Sequence, residues 1–203
     1  MFFLLCILFQ NTKIFIKVDE KIRCSWCGND PLYQQYHDQE WGKPVYDDAI
    51  FFEFLILETF QAGLSWITIL RKRNNFRIAF DDFDYRKISK YNDNKIQELL
   101  VNEGIIRNKL KINAAISNAK LFIEIQKECG SFSDFIWKYT NKKQINNRPN
   151  STTDLVATSA LSDQISKDLK KRGFKFVGST VVYAFLQATG IINDHVADCF
   201  LAI

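Results

Sequence analysis

Residues 54–70, FLILETFQAGLSWITIL, are almost entirely apolar and predict a segment in the middle of the core. Two polar side chains, Glu58 and Gln61, interrupt the apolar run. A carboxylate in such surroundings is costly to bury unless it has a partner. Gly63 then breaks the helical pattern, and Trp66 follows. A buried acid, a break and a large aromatic predict the floor of a pocket. A Glu58 that faces solvent or pairs with Arg or Lys fits this stretch equally well.

The composition is that of a folded chain with a sizeable core. The 203 residues are 47% apolar and include 18 phenylalanines, which excludes an intrinsically disordered protein. A net charge of +4 is compatible with a nucleic-acid partner and is also typical of an ordinary solvated surface. Five cysteines at irregular spacings favour a reducing compartment over a disulfide scaffold. We therefore expect a cytoplasmic protein.

The first 20 residues are predicted to be an extension of unknown role, followed by one domain over residues 21–203. Residues 2–9 form an apolar run of eight, which is too short to span a bilayer. No basic residue precedes the run and no small-residue cleavage site follows it, so it is a poor signal peptide. We expect no membrane association.

Helical periodicity extends through almost the whole chain, and no stretch alternates convincingly as a strand. The predicted fold class is therefore all-α. The predicted helical segments are 47–61, 64–73, 75–80, 84–90, 93–102, 107–127, 132–139, 162–171 and 177–189, followed by a last helix that holds His195 and Cys199. Residues 142–158 are polar and predict a loop that is mobile or faces DNA.

The chain has only two histidines, and each lies at a zinc-ligand spacing from a cysteine. Cys24 precedes His37 with twelve residues between them, and His195 precedes Cys199 with three between them. Two thiolates and two imidazoles suit a closed, structural zinc site that ties the two ends of the domain together. Unrelated core Cys and His residues are the alternative. Two further interpretations involve Cys27. It replaces Cys24 as a metal ligand, or it forms a redox-active pair with Cys24.

Five large amphipathic aromatics accompany these positions: Trp26, Tyr33, Tyr36, Trp41 and Trp66. Rings of this kind provide stacking surfaces for a planar base. For any one of them, a place in an aromatic minicore is the simpler interpretation. The whole set, together with a buried Glu58, indicates a pocket for a planar ligand.

A short turn around residues 169–180 joins two helices and contains two glycines and four basic residues. Gly173 and Gly178 allow a tight backbone. The amides at the start of the next helix, near Ser179, can hold a DNA phosphate together with Lys175 without reading sequence. An ordinary helical turn on a basic face is the equally open alternative.

Seven motifs follow one another along the chain: RCxW at 23–26, DPLY at 30–33, YHDxEWG at 36–42, FQAGLSW at 60–66, GIIR at 104–107, KRGFKFVG at 171–178 and NDHV at 193–196. Together they resemble the DNA-3-methyladenine glycosylase I family, the constitutive alkylation-repair glycosylases of bacteria. The resemblance runs from about residue 23 to residue 199.

The resemblance implies a helix–hairpin–helix DNA glycosylase fold with a zinc-tied subdomain built from the N- and C-terminal segments. It implies Glu58 as the catalytic, base-recognising acid, and Gly63 and Leu64 as the segment that probes the opened duplex. It assigns one structural Zn²⁺ to Cys24, His37, His195 and Cys199. It assigns base contacts to Trp26, Tyr36 and Trp66, with Tyr33 and Trp41 close by. The helix–hairpin–helix that it implies places the predicted DNA-backbone contacts on Gly173, Lys175, Gly178 and Ser179.

The implied activity is hydrolysis of the N-glycosidic bond of 3-methyladenine in double-stranded DNA, by a monomer acting at the bacterial nucleoid. Related glycosylases often use an Asp after the hairpin; here Asn193 lies near that place. Thr59 stands where Gly is expected, and Cys27 is an additional thiol. A non-catalytic DNA- or base-binding module and a redox protein that uses Cys24 and Cys27 are the competing functions.

Overall fold

The computed structural model describes residues 21–61 and 63–203, so the extension predicted over residues 1–20 lies outside the described part. Within the described ranges the chain is mostly helical, as predicted. The α-helices are α1 Pro31–Gln39, α2 Asp48–Gln61, α3 Trp66–Ala79, α4 Tyr85–Ile88, α5 Asp93–Val101, α6 Lys109–Cys129, α7 Phe132–Trp137, α8 Ala160–Lys171 and α9 Ser179–Ala188. Two short strands, β1 Ile145–Asn146 and β2 Ile192–Asn193, pair in parallel.

Helix α2 lies at the centre of the core. Residues 51–60 are all buried, because α3, α6, α7 and α9 pack around this helix. A helix covered on every side needs no polar face, which explains why most of its residues are apolar. The prediction that residues 54–70 lie in the core is confirmed for residues 54–60, whereas residues 63–65 are exposed and residues 66–68 are half-buried.

Helix α1 was not predicted, although its start carries a clear signal. The Asp30 side chain accepts hydrogen bonds from the backbone N–H groups of Leu32 and Tyr33, and Pro31 occupies the first helical position. Both features are typical of helix N-termini. This helix brings Tyr36 and His37 into the core.

Helix α3 is longer than predicted, because segments 64–73 and 75–80 belong to one helix. The basic cluster does not end this helix. Arg73 is buried and pairs with Glu53 of α2 at 2.7 Å and with Glu40 at the end of α1 at 2.7 Å. Arg77 pairs with the same Glu53 at 2.9 Å. The basic residues therefore tie three elements together instead of marking a helix end.

The last predicted helix, holding His195 and Cys199, is wrong. After α9 the chain turns at Gly190, whose φ is +66°, and becomes extended in β2. Pairing with β1 holds this segment away from a helical conformation: the N–H of Ile145 donates to the carbonyl of Ile191 at 2.9 Å. Turns then carry the chain through His195 to Cys199.

The connection between α8 and α9 is held tightly against α6. The backbone N–H of Lys175 donates to Asn118 Oδ1 at 2.9 Å, and Asn118 Nδ2 donates to the Lys175 carbonyl at 3.0 Å. Ser166 Oγ donates to the carbonyl of Val177 at 2.7 Å. These bonds fix the hairpin relative to the core. Across residues 21–61 and 63–203, every helix is too short or too polar to cross a bilayer.

Candidate active site and metal cluster

A cavity of about 210 Å³ lies where α1, α2, α3 and α9 meet. It is lined by Trp26, Tyr33, Tyr36, Trp41, Glu58, Gln61, Trp66, Leu155, Val156, Ala184 and Gln187. The structure thus brings all five predicted aromatics together with Glu58. They come from four separate segments of the chain, so the cavity is a product of tertiary packing.

The aromatic rings meet mainly edge to face. Trp26 lies 4.9 Å from Trp41 and 5.0 Å from Tyr33 between ring centroids, with interplanar angles of 68° and 61°. Tyr36 and Trp66 lie 5.4 Å apart at an angle of 51°. The rings form walls around the cavity and support one another.

Glu58 is a buried acid without an ionic partner among the described residues. Only 3% of it is exposed, and burial raises the pKa of its carboxyl to about 8. Both alternatives, a solvent-facing Glu58 and one paired with Arg or Lys, are therefore wrong. Burial thus disfavours the charged carboxylate, and a positively charged ligand in the cavity would lower this pKa and favour the carboxylate.

Few buried polar side-chain atoms in the described part of the chain have no hydrogen-bond partner. They are Trp26 Nε1, Glu58 Oε2, Trp66 Nε1 and His195 Nε2. Three of these four residues line the cavity. Because orphaned buried polar groups are rare in folded proteins, their concentration here indicates a place for a polar ligand.

The turn between α2 and α3 projects into solvent next to the cavity. Gly63 has a φ of +87°, which favours glycine, and Leu64 is 40% exposed. Lys111 Nζ donates to the carbonyl of Phe60 at 2.8 Å and so caps the end of α2. An exposed leucine on an anchored turn has the form expected of a wedge.

Thr59, the residue that departs from the family pattern, points away from the cavity. It is fully buried, and its Oγ1 donates to the carbonyl of Leu55 at 2.9 Å within α2. The helix continues through this position. Thr59 therefore changes neither the turn nor the cavity lining.

Three of the four predicted metal ligands converge in a buried cluster. The ligand atoms of Cys24, His37 and Cys199 all lie within 4.8 Å of one another. His37 Nδ1 lies 2.8 Å from Asp38 Oδ1, and Arg23 pairs with the same carboxylate. This hydrogen bond turns His37 Nε2 toward Cys199 Sγ, 3.5 Å away. An imidazole oriented by a carboxylate in this way is typical of metal ligands.

His195 lies beside this cluster rather than within its three-residue core. Its ring centroid is 4.9 Å from that of His37, and its Nδ1 lies 2.7 Å from Asn193 Oδ1. Nε2 is left buried without a partner. Burial lowers the pKa of His195 to about 4, so the imidazole is neutral and able to act as a ligand. The residue types and this orphaned nitrogen fit a metal ion.

Cys27 lies outside the cluster. Its Sγ donates to the carbonyl of Cys24 at 3.1 Å, and burial raises the pKa of the thiol. Burial also raises the pKa of Cys24, to about 12. Redox-active pairs have lowered thiol pKa values, so the redox alternative is not favoured. A bound metal would reverse the effect for Cys24, because a coordinating thiol is deprotonated.

The four residues predicted to contact the DNA backbone lie together on the α8–α9 connection. Gly173 has a φ of +101°, and Gly178 is the N-cap of α9 without a capping side chain. The Ser179 hydroxyl lies 2.8 Å from that of Ser162. Lys175 is exposed. The uncapped helix start leaves backbone amides available for an anion.

Four lining residues were missed by the sequence reasoning: Leu155, Val156, Ala184 and Gln187. Two of them carried a usable signal. Gln187 is a polar residue in an apolar helix, which is the pattern that singled out Glu58. Val156, 54% exposed, is the middle of three adjacent apolar residues, Leu155 to Ala157, in a mostly polar loop.

The comparisons with known proteins agree with this arrangement. The sequence model of the methyladenine glycosylase family matches residues 26–202. DNA-3-methyladenine glycosylase 1 of Escherichia coli K12 is 44% identical over 177 residues, which cover 87% of this chain and 95% of that protein. The DNA-3-methyladenine glycosylase of Haemophilus influenzae is 46% identical over 178 residues, which cover 87% and 96%.

A crystal structure of 3-methyladenine DNA glycosylase I has a TM-score of 0.87 to this structure, at 44% identity. The match covers 90% of this chain and 100% of that one. The agreement in sequence and in fold extends over nearly all of the described residues. The chain belongs to the methyladenine glycosylase family.

Proposed function

We propose that this protein is a monofunctional DNA glycosylase that hydrolyses the N-glycosidic bond of 3-methyladenine in double-stranded DNA. The observation that carries the proposal is the cavity that joins five aromatic side chains to the buried, ion-pair-free Glu58. Family membership supports it, since the relatives named above are DNA-3-methyladenine glycosylases. An enzyme that acts on a base within a duplex must first flip that base into such a pocket.

Recognition uses the charge and the amino group of the damaged base. Methylation at N3 gives the adenine ring a positive charge, which aromatic faces and a carboxylate both attract. Glu58 accepts a hydrogen bond from the exocyclic amine, where guanine presents a carbonyl oxygen that a carboxylate repels. Tyr36 and Trp66 contact the two faces of the ring, which requires their centroids to separate from 5.4 Å. Trp26, Tyr33 and Trp41 complete the walls.

The reaction needs little acid catalysis, because the cationic base is already a good leaving group. The C1′–N9 bond breaks, and its electron pair leaves with the base. Water adds its oxygen to C1′ and releases a proton. The products are free 3-methyladenine and an abasic site. The protein's part is to find the base, extrude it and hold it.

Two surface elements hold the DNA in this proposal. Leu64, supported by Gly63, fills the gap in the duplex that the flipped base leaves. The α8–α9 connection, with Gly173 and Lys175, grips the backbone in the manner of a helix–hairpin–helix motif. Backbone amides at Gly178 and Ser179 face a phosphate. The exposure of Leu64 and the uncapped start of α9 support these roles.

One structural zinc ion would be held by Cys24, His37, His195 and Cys199. The convergent triad and the orphaned Nε2 of His195 support this ligand set. Such an ion would tie residues 24–37 to residues 195–199 and would have a structural role rather than a part in the reaction. We further propose that residues 21–203 act as one domain and as a monomer, in the cytoplasm.

The test is release of free base from alkylated DNA. Zinc-loaded protein is expected to release 3-methyladenine from methylated duplex DNA, and Glu58→Gln is expected to release it far more slowly. A well-folded protein that binds the free base without releasing it from DNA would support the non-catalytic module. Equal rates for the wild type and Glu58→Gln would refute the role of Glu58.

A further inference from the structure

Gln187 lines the cavity from α9, whereas Glu58 lines it from α2. Gln187 Nε2 donates to Asp194 Oδ2 at 2.7 Å. Its main chain is also fixed, because its carbonyl accepts the N–H of Gly42 at 2.9 Å. The mechanism proposed above uses neither the side chain of Gln187 nor the buried carboxylate of Asp194 that it contacts.

Asp194 is a hydrogen-bond hub with 2% of its surface exposed. Besides Gln187, its Oδ2 accepts the hydroxyl of Tyr183 at 2.7 Å, and its Oδ1 accepts Asn147 Nδ2 at 2.7 Å. A carboxylate only accepts hydrogen bonds, so it dictates that the –NH₂ of the Gln187 amide faces it. The amide oxygen, Oε1, must then point away from Asp194. No described residue donates a hydrogen bond to it.

We propose that Gln187 is a specificity-determining residue that accepts one hydrogen of the exocyclic amine of the flipped base through Oε1, with Asp194 as its positioning residue. This assignment rests on the proposed function. It gives the amine two acceptors on two different helices, Glu58 for one hydrogen and Gln187 for the other.

The chemistry of the cavity favours an amine over a carbonyl at this position of the base. Trp26 and Trp66 offer N–H donors, whereas Glu58 and Gln187 offer acceptor oxygens. A base with a carbonyl in place of the amine would present oxygen to both acceptors. Sites built to pair with a donor reject analogues that lack it, because their own polar groups are left unpaired. A fixed amide discriminates better than a free one, which can turn its –NH₂ toward the carbonyl.

Calorimetric titration of free bases tests the assignment. The ligands are 3-methyladenine and 3-methylhypoxanthine, in which a carbonyl replaces the amine, and the protein is the zinc-loaded full chain. Gln187→Met is expected to bind 3-methyladenine about tenfold more weakly, since it loses one hydrogen bond to the bound base. It is expected to bind the carbonyl analogue no more weakly than the wild type does, so the preference falls about tenfold.

Tyr183→Phe is the matched control. It removes another donor to the same Asp194 oxygen but leaves the Gln187 amide in place, so the preference for 3-methyladenine should stay at the wild-type value. Gln187→Leu also removes the amide oxygen but has a branched side chain. It is used in place of Gln187→Met if that variant does not fold. The thermal midpoint and zinc content of each variant establish that it is intact.

The outcomes separate this assignment from the proposed function. Unchanged 3-methyladenine binding by Gln187→Met overturns the assignment, and so does an equal loss for both ligands, which a purely structural role produces. In either case the wild type still binds 3-methyladenine and releases it from DNA. Wild-type protein that neither binds nor releases the base refutes the proposed function, and the assignment with it.

Discussion

The cavity and the metal cluster are neighbours that leave buried polar atoms unsatisfied in different ways. They share a wall, since the Trp26 ring lies 5.3 Å from His37 and the Trp41 ring lies 4.7 Å from His195. In the cavity, the residues with orphaned atoms, Trp26, Glu58 and Trp66, line a volume of about 210 Å³. In the cluster, the ligand atoms of Cys24, His37 and Cys199 lie within 4.8 Å of one another, a spacing that a single metal ion can bridge. The first arrangement suits a ligand that exchanges, and the second suits an ion that stays.

Removing the unpartnered imidazole of His195 should change the free energy of unfolding most, because a bound zinc ion would stabilise only the folded state. His195→Ala is expected to lower the free energy of unfolding by at least ~4 kcal/mol in the presence of zinc, the contribution of a ligand at about a thousand times its dissociation constant. Denaturant titration with circular dichroism measures this loss. Metal analysis should fall below one zinc per chain.

Cys27→Ser is the control for the cluster, because this thiol lies beside the triad without belonging to it. The variant should keep one zinc and near-native stability. A His195→Ala protein with full zinc and native stability would contradict the ligand set. If Cys24→Ser retained its zinc, Cys27 rather than Cys24 would be the ligand.

Removing the unpartnered acid of the cavity, Glu58, should instead raise the free energy of unfolding. Burial raises the pKa of Glu58 from 4.5 to about 8, so the folded state binds more protons than the unfolded state between these pH values. Stability is therefore lost as the pH rises through this interval, by ~1.4 kcal/mol per pH unit at most. Glu58→Gln is expected to be more stable than the wild type at pH 8, by up to ~4 kcal/mol, and equally stable near pH 4.

Glu53→Gln is the matched control on the same helix. Glu53 is buried too, but it pairs with Arg73 and Arg77. Its substitution leaves the buried Arg73 guanidinium with Glu40 as its one remaining ion-pair partner among the described residues and should destabilise the protein at pH 8. Unfolding free energies measured by denaturant at pH 4.5, 6 and 8 compare the two variants. A Glu58→Gln protein that is less stable at pH 8 would show that the carboxylate has a partner after all.

The smallest change in stability is expected when the unpartnered indole of Trp66 is replaced. Trp66→Phe keeps an aromatic ring but removes an N–H that has no partner in the described structure, so stability should change by less than ~1 kcal/mol. Free 3-methyladenine should bind severalfold more weakly, because the smaller phenyl ring covers less of the face of the base. Calorimetric titration and thermal melting measure the two effects.

Trp137→Phe provides the contrast. The Nε1 of Trp137 donates to the carbonyl of Val45 at 2.7 Å, so its loss leaves a carbonyl unpaired. This variant should lose ~1–3 kcal/mol of stability and bind the free base as the wild type does. If Trp66→Phe were the less stable of the two and bound the base normally, its indole would be structural.

Much of the site was readable from residue types in sequence. Glu58 was conspicuous because a charge inside an apolar run is costly, and the two histidines were conspicuous because each lies at a ligand spacing from a cysteine. Gln187 carried the same kind of signal but was overlooked in α9. Its meaning depends on Asp194, seven residues further on, and local patterns do not show which way an amide is turned.

The sequence by itself determined the mostly helical fold, the central position of α2 and most of the side chains that meet in the cavity and in the cysteine–histidine cluster. It determined them because apolar periodicity and the cost of burying charge act locally. Only the tertiary structure decided that the segment at His195 and Cys199 is extended and turned, because β1 comes from 47 residues earlier in the chain and pairs there. Only the tertiary structure separated Cys24 from Cys27, since a ligand set depends on distances between atoms from both ends of the domain.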